Sequence, residues 1–417
     1  MSVIVRPLRA EELPAFARLQ INAYPGFHSA NETYRREFKE RLERLQGRPG
    51  KTYFAAFRGG EMVGGMLLHD FTMRLFDVDA PLGGVGMVAT DLTAKKEKVA
   101  KTMIEYFLRH YREKGYPLAA LYPFRPDFYK RMGFGYGAKI HQYRLTPGGL
   151  PGGLPKAGLR RLGWSDMDGI LDCYNRYAAK THGMIRRDLS AAEAALQDPE
   201  IRMIGVEGPG GLAGYMAFRF QKDNAKGSLD YDLEVVEWLY ETPDAMLQLL
   251  NFLHTQSDQV RSIAIHTHDD SFHYLLGDPR NGTGNLLPCI AHETNVQGLG
   301  LMYRIVNVAE YFRLLADRSF GGETLRLKIS TRDSFCPETD GDTFLAFEDG
   351  KPRVVAKGNF DAAIGLEVAD LSALLVGAVS FRKLYEYRLA DLSDSGYLDR
   401  IDRLFRSAKR PICLQRF

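Results

Sequence analysis

The chain has 417 residues, enough for two to four domains at roughly 100–200 residues each. Apolar residues make up 45% and charged residues 26%, globular proportions that exclude a disordered or fibrous chain. With 55 basic and 52 acidic residues the net charge is +3, which calls for neither nucleic acid nor an anionic membrane as partner.

A short strand is predicted at residues 3–5, then a helix with Leu13, Phe16 and Leu19 on one face. Two apolar runs, 53–57 and 62–68, flank Gly59-Gly60 and read as a hairpin. A strand follows at 84–90. A basic loop, 91–98, then leads into a helix with Val99, Met103, Phe107 and Tyr111 on one face, and Gly115 suits its C-terminal cap. A buried strand at 118–122 and a short helix at 127–131 complete this part. The Pro/Gly-rich stretch 147–155 reads as a linker.

The same order recurs beyond the linker, as an internal duplication would give. A hairpin at 202–206 and 212–218 turns through Gly208-Pro209-Gly210-Gly211. Next come a strand at 235–240, a helix with Leu249, Leu250 and Leu253, and a strand at 262–265. A third part begins near residue 297. Leu325, Leu327 and Ile329 alternate as in a half-buried strand, and Asp349-Gly350 marks a hairpin turn between 344–347 and 354–355. An apolar helix at 371–376 and a last helix with Ile401, Leu404 and Phe405 follow. The expected domains are therefore 1–150, 151–296 and 297–417.

Cys173, Cys289, Cys336 and Cys413 form no C-x-x-C pair and suggest a reduced, cytosolic protein. The first thirty residues contain no apolar signal core. The most apolar later stretch, 364–381, is interrupted by Glu367 and Asp370, so no membrane span is expected. His266 and His268 share a strand face, but no complete ligand set accompanies them and no metal is expected.

The segment most suggestive of chemistry is the strand-loop-helix at 86–100. Free N–H groups and the helix dipole at such a junction favour a pyrophosphate, and Lys95, Lys96 and Lys98 add positive charge. A solvated basic turn would read the same way. Taken with Leu121–Phe134, which ends in Tyr129-Lys130-Arg131-Met132-Gly133-Phe134, this segment resembles the acetyl-coenzyme A motifs of the enhanced intracellular survival (Eis) family of GNAT N-acetyltransferases. Tyr174-Asn175-Arg176-Tyr177, Thr181-His182-Gly183, Arg186-Arg187-Asp188, Glu237-Trp238 and Asp278-Pro279-Arg280 resemble the family's central domain, and Met302–Asn307 resembles the entry to its third.

The resemblance implies an α/β and α+β chain: tandem GNAT folds, the second degenerate, followed by a sterol-carrier-protein-like C-terminal domain. It implies acetyl-coenzyme A as cosubstrate, a small-molecule or lysine-type amine as acceptor, direct attack in a ternary complex, and a hexamer. Val88 and Thr90 would face the pantetheine arm, and Lys95, Lys96, Lys98 and Val99 the pyrophosphate. Tyr129 would be the general acid, and the carboxylate of Phe417 the general base. The family loop reads Arg-Arg-x-Gly, whereas this chain has Lys95-Lys96-Glu97-Lys98. A side chain at the glycine position is expected to obstruct the pyrophosphate. This departure supports a rival reading, a ligand-binding protein that has lost its coenzyme. The matching turn of the second domain, Glu241-Thr242-Pro243-Asp244, is acidic and suits a structural role.

Overall fold

The computed structural model describes residues 2–24, 31–156, 158–222 and 231–417. The chain divides into two units. One comprises Met1–Gly137, Leu301–Arg410 and Phe417; the other comprises Ala138–Gly300 and Pro411–Arg416.

The first unit opens with strand β1 (Ile4–Pro7) and helix α1 (Leu13–Ala23), whose Leu13, Phe16, Ala17 and Gln20 form one buried face. Helix α2 (Glu32–Leu45) is capped by Asn31. The predicted hairpin is present as β2 (Lys51–Arg58) and the long β3 (Glu61–Leu75), continuing into β4 (Val78–Thr90). Helix α3 (Val99–Glu113) buries Val99, Met103, Phe107 and Tyr111 as its spacing predicts. Strand β5 (Leu118–Leu121), helix α4 (Pro126–Lys130) and strand β6 (Gly135–Tyr136) follow.

The second unit begins with β7 (Lys139–Leu145), ahead of the Pro/Gly stretch taken as the linker. It continues through β8 (Leu159–Leu162), α5 (Met167–Ala178), α6 (Leu189–Leu196), β9 (Arg202–Gly208), β10 (Gly211–Lys222), β11 (Tyr231–Tyr240), α7 (Pro243–His254) and β12 (Val260–Thr267). A small ladder, β13 (Leu286–Leu287) with β14 (Ala291–His292), precedes β15 (Asn295–Leu299). The sheet order is β15-β7-β12-β11-β10-β9-β8.

The chain then returns to the first unit with β16 (Met302–Ile305), which pairs antiparallel with both β5 and β6. The first sheet therefore reads β1-β2-β3-β4-β5-β16-β6. Each sheet takes a strand from across an expected boundary: β7, ahead of the Pro/Gly stretch, joins the second, and β16, after residue 297, joins the first. The two units change over at residues 137–138 and 300–301. Pro/Gly content marks a loop, but hydrogen bonding decides which sheet a strand joins.

Helix α8 (Val308–Leu314) leads into β17 (Leu325–Arg332), β18 (Gly341–Glu348), β19 (Lys351–Val355) and β20 (Ala362–Glu367). Asp349 and Gly350 both have positive φ, the geometry of a tight two-residue hairpin between β18 and β19. Helix α9 (Val368–Leu375) is buried at every residue. Helix α10 (Phe381–Glu386), strand β21 (Ala390–Leu392) and helix α11 (Leu398–Leu404) complete a five-stranded sheet, β19-β18-β17-β20-β21, with its helices. No helix among the described residues is long and apolar enough to cross a membrane.

Arg304 of β16 is fully buried, and its Nη2 donates to Asp333 at 2.6 Å. It lies under Gly133, whose φ is +84°. A Cβ there would stand 1.4 Å from the Arg304 Nη1. Two residues on, a Cβ at Gly135 would meet the Ala369 carbonyl oxygen at 2.1 Å. These contacts explain why glycine stands at 133 and 135. Gly133→Ala should displace the guanidinium from Asp333 and destabilise the fold by about 3 kcal/mol. Urea unfolding monitored by circular dichroism would read this as a lowered midpoint.

Candidate active site

In the first sheet, β4 pairs with β5 only from Leu82 to Gly84, opposite Leu118 to Ala120. Beyond Gly84 it leaves that ladder and runs on to Thr90, so a cleft opens between the two strands. On the β3 side the register slips between Gly65 and Leu67, where Met87 and Val88 oppose the single Met66. Met87 has φ 54°, the left-handed turn of a bulge. The bulge is held from α1: the Gln20 amide donates to the Met87 carbonyl at 2.8 Å, and the Tyr24 hydroxyl to the Val88 carbonyl at 2.6 Å. Val88 and Thr90 are half-buried on the departing strand.

The basic loop enters α3 immediately after. Lys98 is the N-cap residue, with φ 64° and ψ 11°, and no side chain caps the helix. The first N–H groups of a fifteen-residue helix thus lack a capping side chain. Lys98 takes the left-handed conformation expected of glycine, and its side chain is exposed. Adopting that conformation costs a non-glycine residue roughly 1–2 kcal/mol. Lys95 and Lys96 are also exposed, while Val99 is buried beneath the turn. The negative charge of Glu97 is paired with Arg58 at the end of β2.

Tyr129 on α4 is 3% exposed and shares an apolar cluster with Val88, Val99, Leu121 and Phe134. Burial raises its pKa, and the nearby Tyr24 hydroxyl adds to the rise, so the phenol stays protonated at neutral pH. Phe417 belongs to this unit. A Cβ on Gly86 would lie 3.1 Å from its backbone carbonyl carbon, and one on Gly84 3.1 Å from its ring. Two glycines on the same face of β4 therefore make its seat. Its ring packs edge-on against Phe71, His69 and Tyr122, with centroids 4.8, 5.5 and 5.5 Å away. His69 is buried, which brings its pKa down to about 3, with Lys51 adding to the drop; the imidazole is neutral at pH 7. The structure brings the strand, loop, tyrosine and terminal residue singled out in the sequence together on one sheet. Tyr24, His69 and the glycine seat were missed, although the Gly83-Gly84-Val85-Gly86 run inside a strand is a signal of close approach.

The second unit repeats the strand arrangement without the opening. The β11–β12 ladder ends at Glu234 and Ala264, and β11 slips register between Val235 and Glu237. There the Trp238 indole donates to the His266 carbonyl at 3.2 Å and bridges the two strands. Helix α7 is capped by Thr242, which accepts from the Ala245 N–H, and Glu241 is paired with Arg176 and Lys180. Arg187 and Glu237 form a buried bidentate pair joined by Tyr215 and Gln415. Burial alone would raise the Glu237 pKa, but Arg187 outweighs it and holds the carboxyl low. His266 meets the Gln142 amide, and His268 lies against the Lys139 carbonyl. Among the described residues no cluster of three or more His, Cys, Asp or Glu side chains could hold a metal ion.

Comparison with known proteins agrees with this architecture. Residues 4–137 and 183–305 match two models of the acetyltransferase (GNAT) domain, and residues 312–414 match the sterol carrier protein domain. The chain is 26% identical over 368 residues to N-acetyltransferase Eis of Mycobacterium tuberculosis and of Mycobacterium bovis, covering 84% of each chain. Two solved structures share the fold over 100% of both chains. One is a GCN5-related N-acetyltransferase from Anabaena variabilis (TM-score 0.82, 15% identity), the other Eis1 from Mycobacterium abscessus (TM-score 0.78, 19% identity).

Because Lys98 already holds a left-handed backbone, Lys98→Gly should raise stability by about 1 kcal/mol. Removing its side chain from the uncapped helix end should also tighten acetyl-coenzyme A binding. Thermal melts and calorimetry read the two effects separately.

Proposed function

We propose how this chain, a member of the Eis family of GNAT N-acetyltransferases, performs acetyl transfer: an acceptor amine attacks acetyl-coenzyme A directly, within a ternary complex on the first sheet. The observation that carries the reading is the joining, in one unit, of an open β4–β5 cleft and an uncapped α3 N-terminus flanked by lysines. A pyrophosphate fits such a helix end, where N–H groups and the dipole favour negative charge. Lys95, Lys96 and the amides at Lys98 and Val99 would hold it. Val88 and Thr90 would offer backbone groups to the pantetheine arm. Bound there, acetyl-coenzyme A supplies an activated acetyl thioester.

The protein's own groups then manage two protons. The carboxylate of Phe417, beside Gly86, would take one from the attacking amine. Tyr129, kept protonated by burial, would hold the other for the departing sulfur. In the second unit Trp238 spans the corresponding gap and Thr242 caps the corresponding helix, which supports a single coenzyme site per chain. A cytosolic location and the hexamer implied by the family complete the proposal.

Calorimetric titration should give one acetyl-coenzyme A per chain; two sites, or none, would overturn the reading. Tyr129→Phe should cut turnover by ~10²-fold or more with coenzyme affinity unchanged, the scale of general acid–base catalysis. Residues added after Phe417 should do the same. Native turnover in both variants would place the proton transfers elsewhere.

A further inference from the structure

A cavity of about 180 Å³ lies in the first unit between helix α3, the end of β16 and the loop that follows β17. None of the proposed coenzyme or proton-transfer residues lines it. Arg304 does. Its guanidinium is fully buried, yet only part of it is matched. Nη2 donates to Asp333, whereas Nε and Nη1 have no hydrogen-bond partner among the described residues. The Asp333 carboxylate is itself shared, because its other oxygen accepts from the Phe335 and Cys336 N–H groups at 3.0 Å each. Buried donors left unmet are unfavourable, and those of a cation most of all. The Cys336 thiol also lines the cavity. Burial raises its pKa more than Arg304 lowers it, so the thiol is neutral at pH 7 and does not offset the guanidinium.

The other charged groups of the lining are Arg109, Arg112, Glu105 and Glu338. Arg112 Nη1 donates to the Val306 carbonyl at 2.7 Å, a neutral acceptor that leaves the charge in place. Glu105 is drawn to Lys101, 3.5 Å away on the same helix. Three lining arginines therefore face two glutamates, one of them shared, and the local field favours an anion. Apolar surface stands beside this charge. Leu108, Val306 and Phe335 line the same space, and the Phe335 ring centre is 5.9 Å from the Arg304 Cζ. A phosphate gains nothing from such walls, whereas an alkyl body does. At about 30 Å³ per water, the space holds about six waters, or a ligand of about as many non-hydrogen atoms.

We propose that this cavity binds a small monocarboxylate, its carboxylate met by Arg304 and Arg112 and its short apolar body by Leu108, Val306 and Phe335. The site is separate from acetyl transfer and does not depend on that reading. An occupant would complete the hydrogen bonding of the charge over which the turn after α4 is built.

Calorimetry of the full-length protein with sodium butyrate at fixed ionic strength should show one saturable site. Inorganic phosphate and 1-butanol should bind at least about tenfold more weakly. Butyrate at ten times its dissociation constant should slow alkylation of Cys336 by iodoacetamide about tenfold, read by peptide mass spectrometry. The exposed Cys289 should react at its native rate in the same sample. Arg112→Gln removes a charge and Cys336→Phe places a ring in the cavity; each should weaken butyrate at least about tenfold. Phosphate or butanol bound as tightly as butyrate overturns the carboxylate class. Binding that leaves Cys336 unprotected, or that is unchanged in both folded variants, overturns the site, as does a lack of saturation below about 10 mM. The protection measurement uses the native chain and decides the matter even where a variant does not fold.

Discussion

The first unit depends on one buried charge. Arg304 has no exposed surface, sits on the strand inserted between β5 and β6, and is neutralised by Asp333 beyond β17. A lone guanidinium in that position would carry a penalty of several kcal/mol, so strand, turn and carboxylate must form together. The glycine over it exists to make room, and the turn containing that glycine follows directly on α4. The position of Tyr129 is thus tied to a salt bridge whose members lie far from it in sequence. The C-terminal α+β sheet is then more than an appendage, because it supplies the counter-ion.

The two GNAT-type sheets show how one strand pattern can be used in two ways. Both have a central strand that slips register and leaves its parallel neighbour. In the first, Gly84 and Gly86 leave room for Phe417, and the helix behind is uncapped. In the second, an indole bridges the gap, a threonine hydroxyl satisfies the helix end, and an arginine–glutamate pair fills the interior. Cap and uncapped end differ by about 1 kcal/mol in local stability. The uncapped end is therefore the less stable choice by itself, as expected of a surface kept for a ligand.

Much of this was legible in the sequence, for identifiable reasons. The β2–β3 hairpin, α3 and the Asp349-Gly350 turn were visible because their signals are local: alternation, a 3.6-residue period, a turn dipeptide. Tyr129 and the lysine loop could be assigned only through resemblance, since a buried tyrosine or a basic turn alone fits many structures. The exchange of β7 and β16 was not visible. Strand β7 alternates polar and apolar residues and β16 is only four residues long, and no local pattern tells a strand which of two similar sheets it joins. The expectation that Lys98 would obstruct the loop considered its side chain. The position also demands a left-handed backbone, which Lys98 adopts at a cost of roughly 1–2 kcal/mol. The closure of the second cleft by Trp238 needed a register, which sequence alone does not supply.

The placement of β16 also has a consequence in time. The first sheet lacks its sixth strand until a segment encoded about 160 residues after β6 has been made. At the ordinary pace of synthesis that is a delay of roughly ten to thirty seconds. During it β5 presents an unpaired apolar edge, the kind of surface that invites mispairing. The nascent N-terminal half therefore waits on the ribosome for its own closing strand, while the intervening sequence builds the other sheet. For a chain of this design, the order of translation is itself a folding constraint, and slow stretches of message between the two halves would lengthen the period of greatest exposure.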